Sequence, residues 1–257
     1  MLEDERHILI KKLLVRKTFA GVREIAAYLS VSEATVRRDL SKMVKDGLLQ
    51  RVRGGARILG DEKSSGPVLP EMPFEYRRGL FLEKKRRIAQ EAVRLCGDGD
   101  TIIIDGGSTT FQMAEYLKAR RMTIITNSFA LAEVLVKTSA NTLILPGGVL
   151  YPDSRLVLDH FHTDYYANFS ADRVFMGVFG IDEQGMTNTD TLLIRTERNM
   201  IERAREVYIL ADSGKFEQRG NLRLCGFDKV TALITDSGLD ERHEDMLRQT
   251  GIRVIIV

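Results

Sequence analysis

Only two cysteines, Cys96 and Cys225, occur in the 257 residues, far apart and outside any CxxC spacing. A disulfide framework is therefore not indicated, and a reducing cytoplasm is the simpler setting. No apolar run approaches the ~18 residues of a membrane span. The charged start, Met1 to Arg6, leads into no signal-like apolar segment. A cytoplasmic location without a membrane partner is the expectation. Neither GxxxxGKS/T nor GxGxxG occurs, so a kinase or a dinucleotide-dependent enzyme is unsupported and no cofactor is expected. No Ser/His/Asp set stands out, no catalytic residue is assigned, and no repeat of fixed period is evident.

The chain does hold enough apolar residue, 44%, to build a real core. Its net charge of +2 hides an asymmetry: residues 1–60 carry 13 basic against 7 acidic side chains, and the rest 25 against 29. A head of +6 on a body of −4 suits a nucleic-acid reader with a separate, more acidic module. A chance excess on a solvated surface gives the same count, so the pattern must decide.

That pattern is three short helices and a hairpin. Glu3 to Arg16 places Ile10, Leu13 and Leu14 at helical spacing, and Val22, Ile25, Ala26 and Leu29 form an i, i+3, i+4, i+7 stripe. After the break at Ser30-Val31-Ser32, Ser32 is placed to cap a third helix with Glu33 at its positive end. That helix buries Val36, Leu40, Met43 and Val44, with Gly47 as its stop. Its opposite face carries Ala34, Arg38, Ser41, Lys42 and Lys45, flanked by Thr35 and Arg37. A face that is small at its start and cationic along its length can enter a major groove, pair an arginine with guanine and hold phosphates. Leu48 to Arg53, Gly54-Gly55 and Ala56 to Ile58 then read as a tight hairpin, a wing bearing Arg51 and Arg53.

Val31-Ser32-Glu33-Ala34-Thr35-Val36-Arg37-Arg38-Asp39-Leu40, then Gly47-Leu48 and Arg53-Gly54-Gly55-Ala56, resemble the DeoR family of bacterial repressors. The family pattern is VSxxTIRRDL followed by a glycine and a basic or aromatic residue before GGA. Val36 replaces the usual Ile, and Arg53 stands where His or Tyr is common, which keeps the wing cationic. The resemblance implies a winged helix-turn-helix (about 20–39) that binds operator DNA through Ser32, Ala34, Thr35, Arg37, Arg38, Lys42, Arg51 and Arg53.

Residues 60–73, GDEKSSGPVLPEMP, read as a linker between a head at 1–59 and a body at 74–257. Phe74 to Arg77 and the amphipathic Lys84 to Arg94 resemble the segment that joins the halves in this family. From Asp100 short β-rich runs alternate with helical patterns: Thr101–Asp105, Met122–Thr126, Thr142–Leu145, Val174–Phe179, Val207–Ala211, Thr231–Thr235 and Ile252–Val257, with Thr189–Arg205 as a long helix. The fold class expected is α/β, a doubly wound and mainly parallel sheet.

Polar and glycine residues recur after these strands, where ligands bind in such folds. Asp105 offers an acceptor for sugar hydroxyls. Gly106 and Gly107 permit close approach, and Ser108, Thr109 and Thr110 open a helix with free N–H groups for an anion. Thr126, Asn127, Ser128, Gly147, Gly148, Asp182 and Lys215 come from other strand ends, Lys215 as a cation for phosphate. Each piece alone is ordinary turn and cap chemistry; as a set they outline a cleft. DGGSTT, TNSF, PGG, GID and ADSGKF also resemble the DeoR sensor domain, similar in fold to ribose-5-phosphate isomerase and glucosamine-6-phosphate deaminase. Gly214 stands where a second serine is common. The resemblance implies a phosphorylated sugar or sugar derivative as effector and a repressor of a carbohydrate operon. Paired half-sites require at least a homodimer or homotetramer.

His160 and His162 have metal-ligand chemistry, yet no companion cluster accompanies them and no metal is expected. Asn168-Phe169-Ser170 fits a glycosylation sequon without use in a cytoplasmic chain. Two other functions compete. One is a sugar-phosphate isomerase or deaminase carrying a DNA-binding head, since fold does not fix activity. The other is an architectural binder with a steep salt slope and little sequence preference. Thr187-Asn188-Thr189-Asp190 and the following helix are expected to shape ligand choice.

Overall fold

The computed structural model describes residues 3–17, 19–45, 48–52, 54–58, 74–159 and 164–257. The chain divides into two compact units, Met1–Pro70 and Glu71–Val257. Gly47, Arg53, the 60–73 linker, His160 and His162 lie outside the described residues.

The first unit runs α1 (Glu3–Lys17), β1 (Phe19–Gly21), α2 (Val22–Leu29), α3 (Glu33–Lys45), β2 (Leu49–Val52) and β3 (Gly55–Ile58). The three helical stripes meet in one core of Ile10, Leu14, Ile25, Leu29, Val36, Leu40 and Met43. Ser30 ends α2 in the left-handed conformation. Ser32 opens α3, its Oγ accepting the Thr35 N–H at 3.2 Å. Strand β1 has no counterpart in the sequence reading. It pairs with β3, giving the sheet order β1-β3-β2. The turn also shifts. Val52 pairs with Gly55, so Gly55 belongs to β3 and not to the turn of the hairpin. Gly54 takes the positive φ of +89°, whereas Gly55 is needed for contact: a Cβ there would sit 2.1 Å from the Ala20 carbonyl oxygen.

The second unit begins with α4 (Phe74–Gly79) and α5 (Leu82–Arg94). Its main sheet uses β4 (Thr101–Ile104), β5 (Thr123–Thr126), β6 (Thr142–Ile144), β9 (Ala171–Met176), β12 (Ala204–Leu210), β14 (Ala232–Thr235) and β15 (Arg253–Ile256). All seven are parallel, in the order β15-β14-β12-β9-β4-β5-β6. Helices α6 (Met113–Leu117), α7 (Phe129–Thr138), α8 (Thr191–Glu202) and α9 (Glu241–Thr250) complete the unit. Side chains of one strand alternate between two cores: Ile102 and Ile104 enter one, Ile103 the other. Burial on both faces is why β4 reads as an unbroken apolar run.

From β4 the chain builds outward through β5 to β6, then returns to place β9 on the other flank of β4. The sheet therefore switches direction between β4 and β9, and the crevice at their carboxyl ends is the ligand position the topology favours. Around it lie the hairpin of β7 (Val149–Tyr151) and β8 (Leu156–Leu158), and an antiparallel sheet of β10 (Gly180–Asp182), β11 (Gly185–Asn188) and β13 (Leu222–Cys225). The expected Thr189–Arg205 helix is shorter. Asp190 caps it, accepting from the Leu192 and Leu193 N–H groups, and Ala204 already pairs with Ala171 in the sheet. No helix among the described residues is long and apolar enough to cross a membrane.

Candidate functional site

On the first unit, Ala34, Arg37, Arg38, Ser41, Lys42 and Lys45 form the exposed face of α3, with Ser32 exposed and Thr35 half-buried at its start. Arg37 pairs with Glu33 one turn back at 2.9 Å, and Lys42 reaches Glu3 at 2.5 Å. Arg38 makes no ion pair among the described residues. Ser41 Oγ donates to the Arg37 carbonyl and accepts from Arg51 Nη1 at 2.7 Å, which fixes strand β2 to the basic helix. The fourth member of the Arg37-Arg38-Asp39-Leu40 run points inward beside Asp39. The Asp39 carboxylate is buried and receives both Arg6 Nε at 2.7 Å and Arg6 Nη2 at 3.0 Å. The motif thus spends two arginines on the surface and holds the helix with the aspartate.

On the second unit, a cavity of about 130 Å³ opens at the β4–β9 switch point. Asp105, immediately after β4, accepts the Gly177 N–H beyond β9 at 3.2 Å, joining the two strand ends. Gly106 packs closely under the Leu156 side chain, whose Cδ2 would lie 1.8 Å from a Cβ there, so a larger residue would have to displace that leucine. Thr110 Oγ1 lies 2.7 Å from the Asp105 carbonyl and accepts the Gly107 N–H at 2.9 Å. The turn is thereby fastened from below, and Ser108 and Thr109 line the cavity.

The residue that sequence reading missed is Lys85. It lies on α5 and is 4% exposed, lining the cavity from below. Its Nζ donates to Ser108 Oγ at 3.0 Å and to the Arg77 carbonyl at 2.6 Å. Burial pulls its pKa down to about 8, against the favourable charge of Asp212 and with the opposing charges of Lys215 and Arg77. Its neighbour Lys84 turns elsewhere, to Asp236 at 2.7 Å. Burial pushes that Asp236 carboxyl up, but Lys84 and the Ser213 and Gly238 N–H groups outweigh it and hold the acid below the usual range. Arg77, Asn188, Glu197, Asp212 and Lys215 also line the cavity.

Of the effector residues expected from sequence, the cavity brings together Asp105, Gly106, Gly107, Ser108, Thr109 and Lys215. Thr110, Thr126, Asn127 and Ser128 are buried beneath or beside it. Thr126 Oγ1 donates to the Ile104 carbonyl at 2.6 Å, and Ser128 caps α7. Gly147 and Gly148 follow β6, the edge strand two places from the switch point, and are exposed. Asp182 ends β10, outside the parallel sheet, where it pairs with Arg219 at 3.0 Å. Asp182 does not line the cavity, although Asn188 at the end of the neighbouring antiparallel strand β11 does. Burial pushes both thiols, Cys96 and Cys225, up to about 12, so neither offers a thiolate near neutral pH.

Residues 81–237 match the DeoR C terminal sensor domain, and residues 6–62 match the DeoR-like helix-turn-helix domain. The chain belongs to the DeoR family. The DeoR match takes in both the basic α3 face and most of the cavity wall, though Arg77 lies just before it. Among relatives of full length is the HTH-type transcriptional regulator YulB of Bacillus subtilis, 30% identical over 258 residues, covering 100% of this chain and 98% of YulB. The HTH-type transcriptional repressor GlcR of the same organism is 29% identical, covering 100% and 97%. The regulator UlaR of Shigella dysenteriae is 25% identical and covers 100% of both chains. This DeoR-family chain is accordingly a helix-turn-helix transcriptional regulator. The solved ribose 5-phosphate isomerase A of Methanocaldococcus jannaschii aligns with 51% of this chain and 53% of its own, at a TM-score of 0.39 and 20% identity, too distant to bear on the site.

Proposed function

We propose that this regulator represses a carbohydrate-utilisation operon and that a phosphorylated sugar, bound in the cavity, controls its hold on operator DNA. The observation that carries the ligand class is the buried Lys85 ammonium beside Ser108 at the switch-point turn. A cation withdrawn from water at a glycine-serine-threonine turn is a site built for an anion. Ser108 and Thr109 supply hydroxyls, Lys215 a second cation, and Asp105 an acceptor for a sugar hydroxyl. The likeness to transcriptional regulators over the full length of the chain supports a ligand that is held and released unchanged.

The DNA contacts proposed are Ser32, Ala34, Thr35, Arg37, Arg38, Lys42, Arg51 and Arg53. Arg38 reads a base edge and the other cations hold phosphates. Two copies read two half-sites. Coupling runs through Lys85, whose Nζ also holds the Arg77 carbonyl on α4, the first described element after the 60–73 segment. A phosphate that draws on Lys85 acts on α4 as well, so the two states of the regulator differ in ligand affinity, as control requires.

The test is thermal unfolding of the purified chain against sugar phosphates and their unphosphorylated parents. A phosphorylated ligand at 100 times its Kd is expected to add about 2.7 kcal/mol, a shift of roughly 5–10 °C, with no shift from the parent sugar and no consumption of the ligand. Equal shifts from sugar and sugar phosphate remove the phosphate anchor; turnover of the ligand makes the protein an enzyme.

A further inference from the structure

The cavity is lined by charges of both signs. Asp212, Lys215 and Arg77 are charges that act on the Lys85 ammonium. One end, at α5 and the 105–110 turn, holds the Lys85 ammonium and the cations Arg77 and Lys215 together with the carboxylates of Asp105 and Asp212. The other is formed by Asn188 of β11 and Glu197 of α8, with Leu193 one helical turn before Glu197.

Glu197 is 1% exposed, and its side chain has a fixed direction. Asn188 Nδ2 lies 2.9 Å from each carboxylate oxygen. Asn188 Oδ1 in turn accepts the Thr189 N–H at 2.8 Å, so the amide presents its NH2 edge to Glu197. Asp190 then caps α8 through the Leu192 and Leu193 N–H groups. Asn188, held by the Thr189 N–H, thus orients one buried acid on the helix that Asp190 caps. An ionised carboxylate has acceptors only. It takes a hydroxyl readily, and a second carboxylate placed against it meets like-charge repulsion in a poorly solvated wall.

Resting on the phosphate anchor argued above, we propose that Glu197, oriented by Asn188, is the specificity-determining acceptor of the cavity. It receives a hydroxyl at the end of the ligand remote from the phosphate and excludes a ligand that ends there in a carboxylate. Ligands are therefore polyol or sugar phosphates and not aldonic acid phosphates of the same length.

The experiment is calorimetric titration of the full chain with matched pairs of four, five and six carbons, each a polyol phosphate and the aldonic acid phosphate differing only in the terminal CH2OH or carboxylate, and with inorganic phosphate. For the chain length that binds tightest, the polyol phosphate is expected to bind at least about tenfold more tightly than its acid. In Glu197→Gln the ratio is expected to fall below about threefold, with the affinity for inorganic phosphate unchanged. Equal or tighter binding of the acid by the wild-type chain overturns the proposal without recourse to any variant, as does a ratio that survives in folded Glu197→Gln. Binding of inorganic phosphate with no gain from any polyol also overturns it. If neither phosphate nor any phosphorylated compound binds, the anchor itself has failed, and this proposal falls with it.

Discussion

Lys85→Met is expected to weaken binding of the phosphorylated ligand by about 100-fold while leaving DNA affinity in the absence of ligand unchanged. The methionine keeps the stem in its buried channel and removes the charge-assisted bond to phosphate, worth roughly 1.5–3 kcal/mol, together with the Nζ bonds to Ser108 Oγ and the Arg77 carbonyl. Calorimetry on the two proteins reads the loss. The wild-type chain should also show a pH dependence that the variant lacks. With the folded pKa near 8 and the unfolded value at 10.5, the unfolded chain binds the extra proton between those limits. The Lys85 contribution to stability therefore rises with pH across that window and is constant below it. Ligand binding runs the other way. An anion favours the ammonium, so the affinity is expected to fall as pH rises through about 8, with proton uptake on binding. The phosphate dianion is already formed by then, its second pKa being about 6, and does not mask the effect. A flat Kd from pH 7 to 9 in the wild-type chain would remove Lys85 from the anchor.

Arg6→Met is expected to lower the unfolding midpoint of the N-terminal unit by about 10–15 °C, because it leaves the Asp39 carboxylate buried without its bidentate partner. DNA binding is lost at temperatures where that unit has melted, while ligand binding by the sensor unit persists. Arg6→Met combined with Asp39→Leu should recover most of the midpoint, since replacing a buried pair with apolar groups is often neutral. Circular dichroism melts and DNA binding of the wild type and the two variants separate this from a direct DNA contact by Arg6, in which case the double variant would be stable but still unable to bind.

Asp39, Lys85 and Glu197 mark where the sequence was legible and where it was not. Helical stripes located the head, and glycine-rich strand ends located one wall of the cavity. Strand β1, three residues long, is too short to show alternation, and the β7–β8 hairpin and the β10-β11-β13 sheet lack a clear period. The missed charges did leave a signal. Lys85 precedes Ile88, Ala89 and Ala92 at i+3, i+4 and i+7, so it lies on the apolar stripe of α5. Glu197 sits between Leu193 and Ile201 on the buried face of α8, and Asp39 between Val36 and Met43 on that of α3. A charge on the buried stripe of an amphipathic helix must meet a partner, and here each meets one that matters. Asp182, Gly147 and Gly148 are the opposite case: expected in the cleft from sequence, they are not among the residues that line the cavity. Their turns look like strand ends, but which strand ends converge depends on sheet order, and strand order is set by contacts far apart in sequence.

The most direct measurement is the affinity of the chain for double-stranded DNA sites that it has itself selected from a random pool, with and without the sugar phosphate found by thermal unfolding. In the wild-type chain the ligand is expected to change the Kd for DNA at least about tenfold. Arg38→Ala should weaken DNA binding and leave ligand affinity intact, and Lys85→Met should bind DNA normally but no longer respond to a ligand concentration that saturates the wild type. A ligand that occupies the cavity of the wild-type chain yet leaves its affinity for DNA unchanged would contradict the control of the head by the cavity.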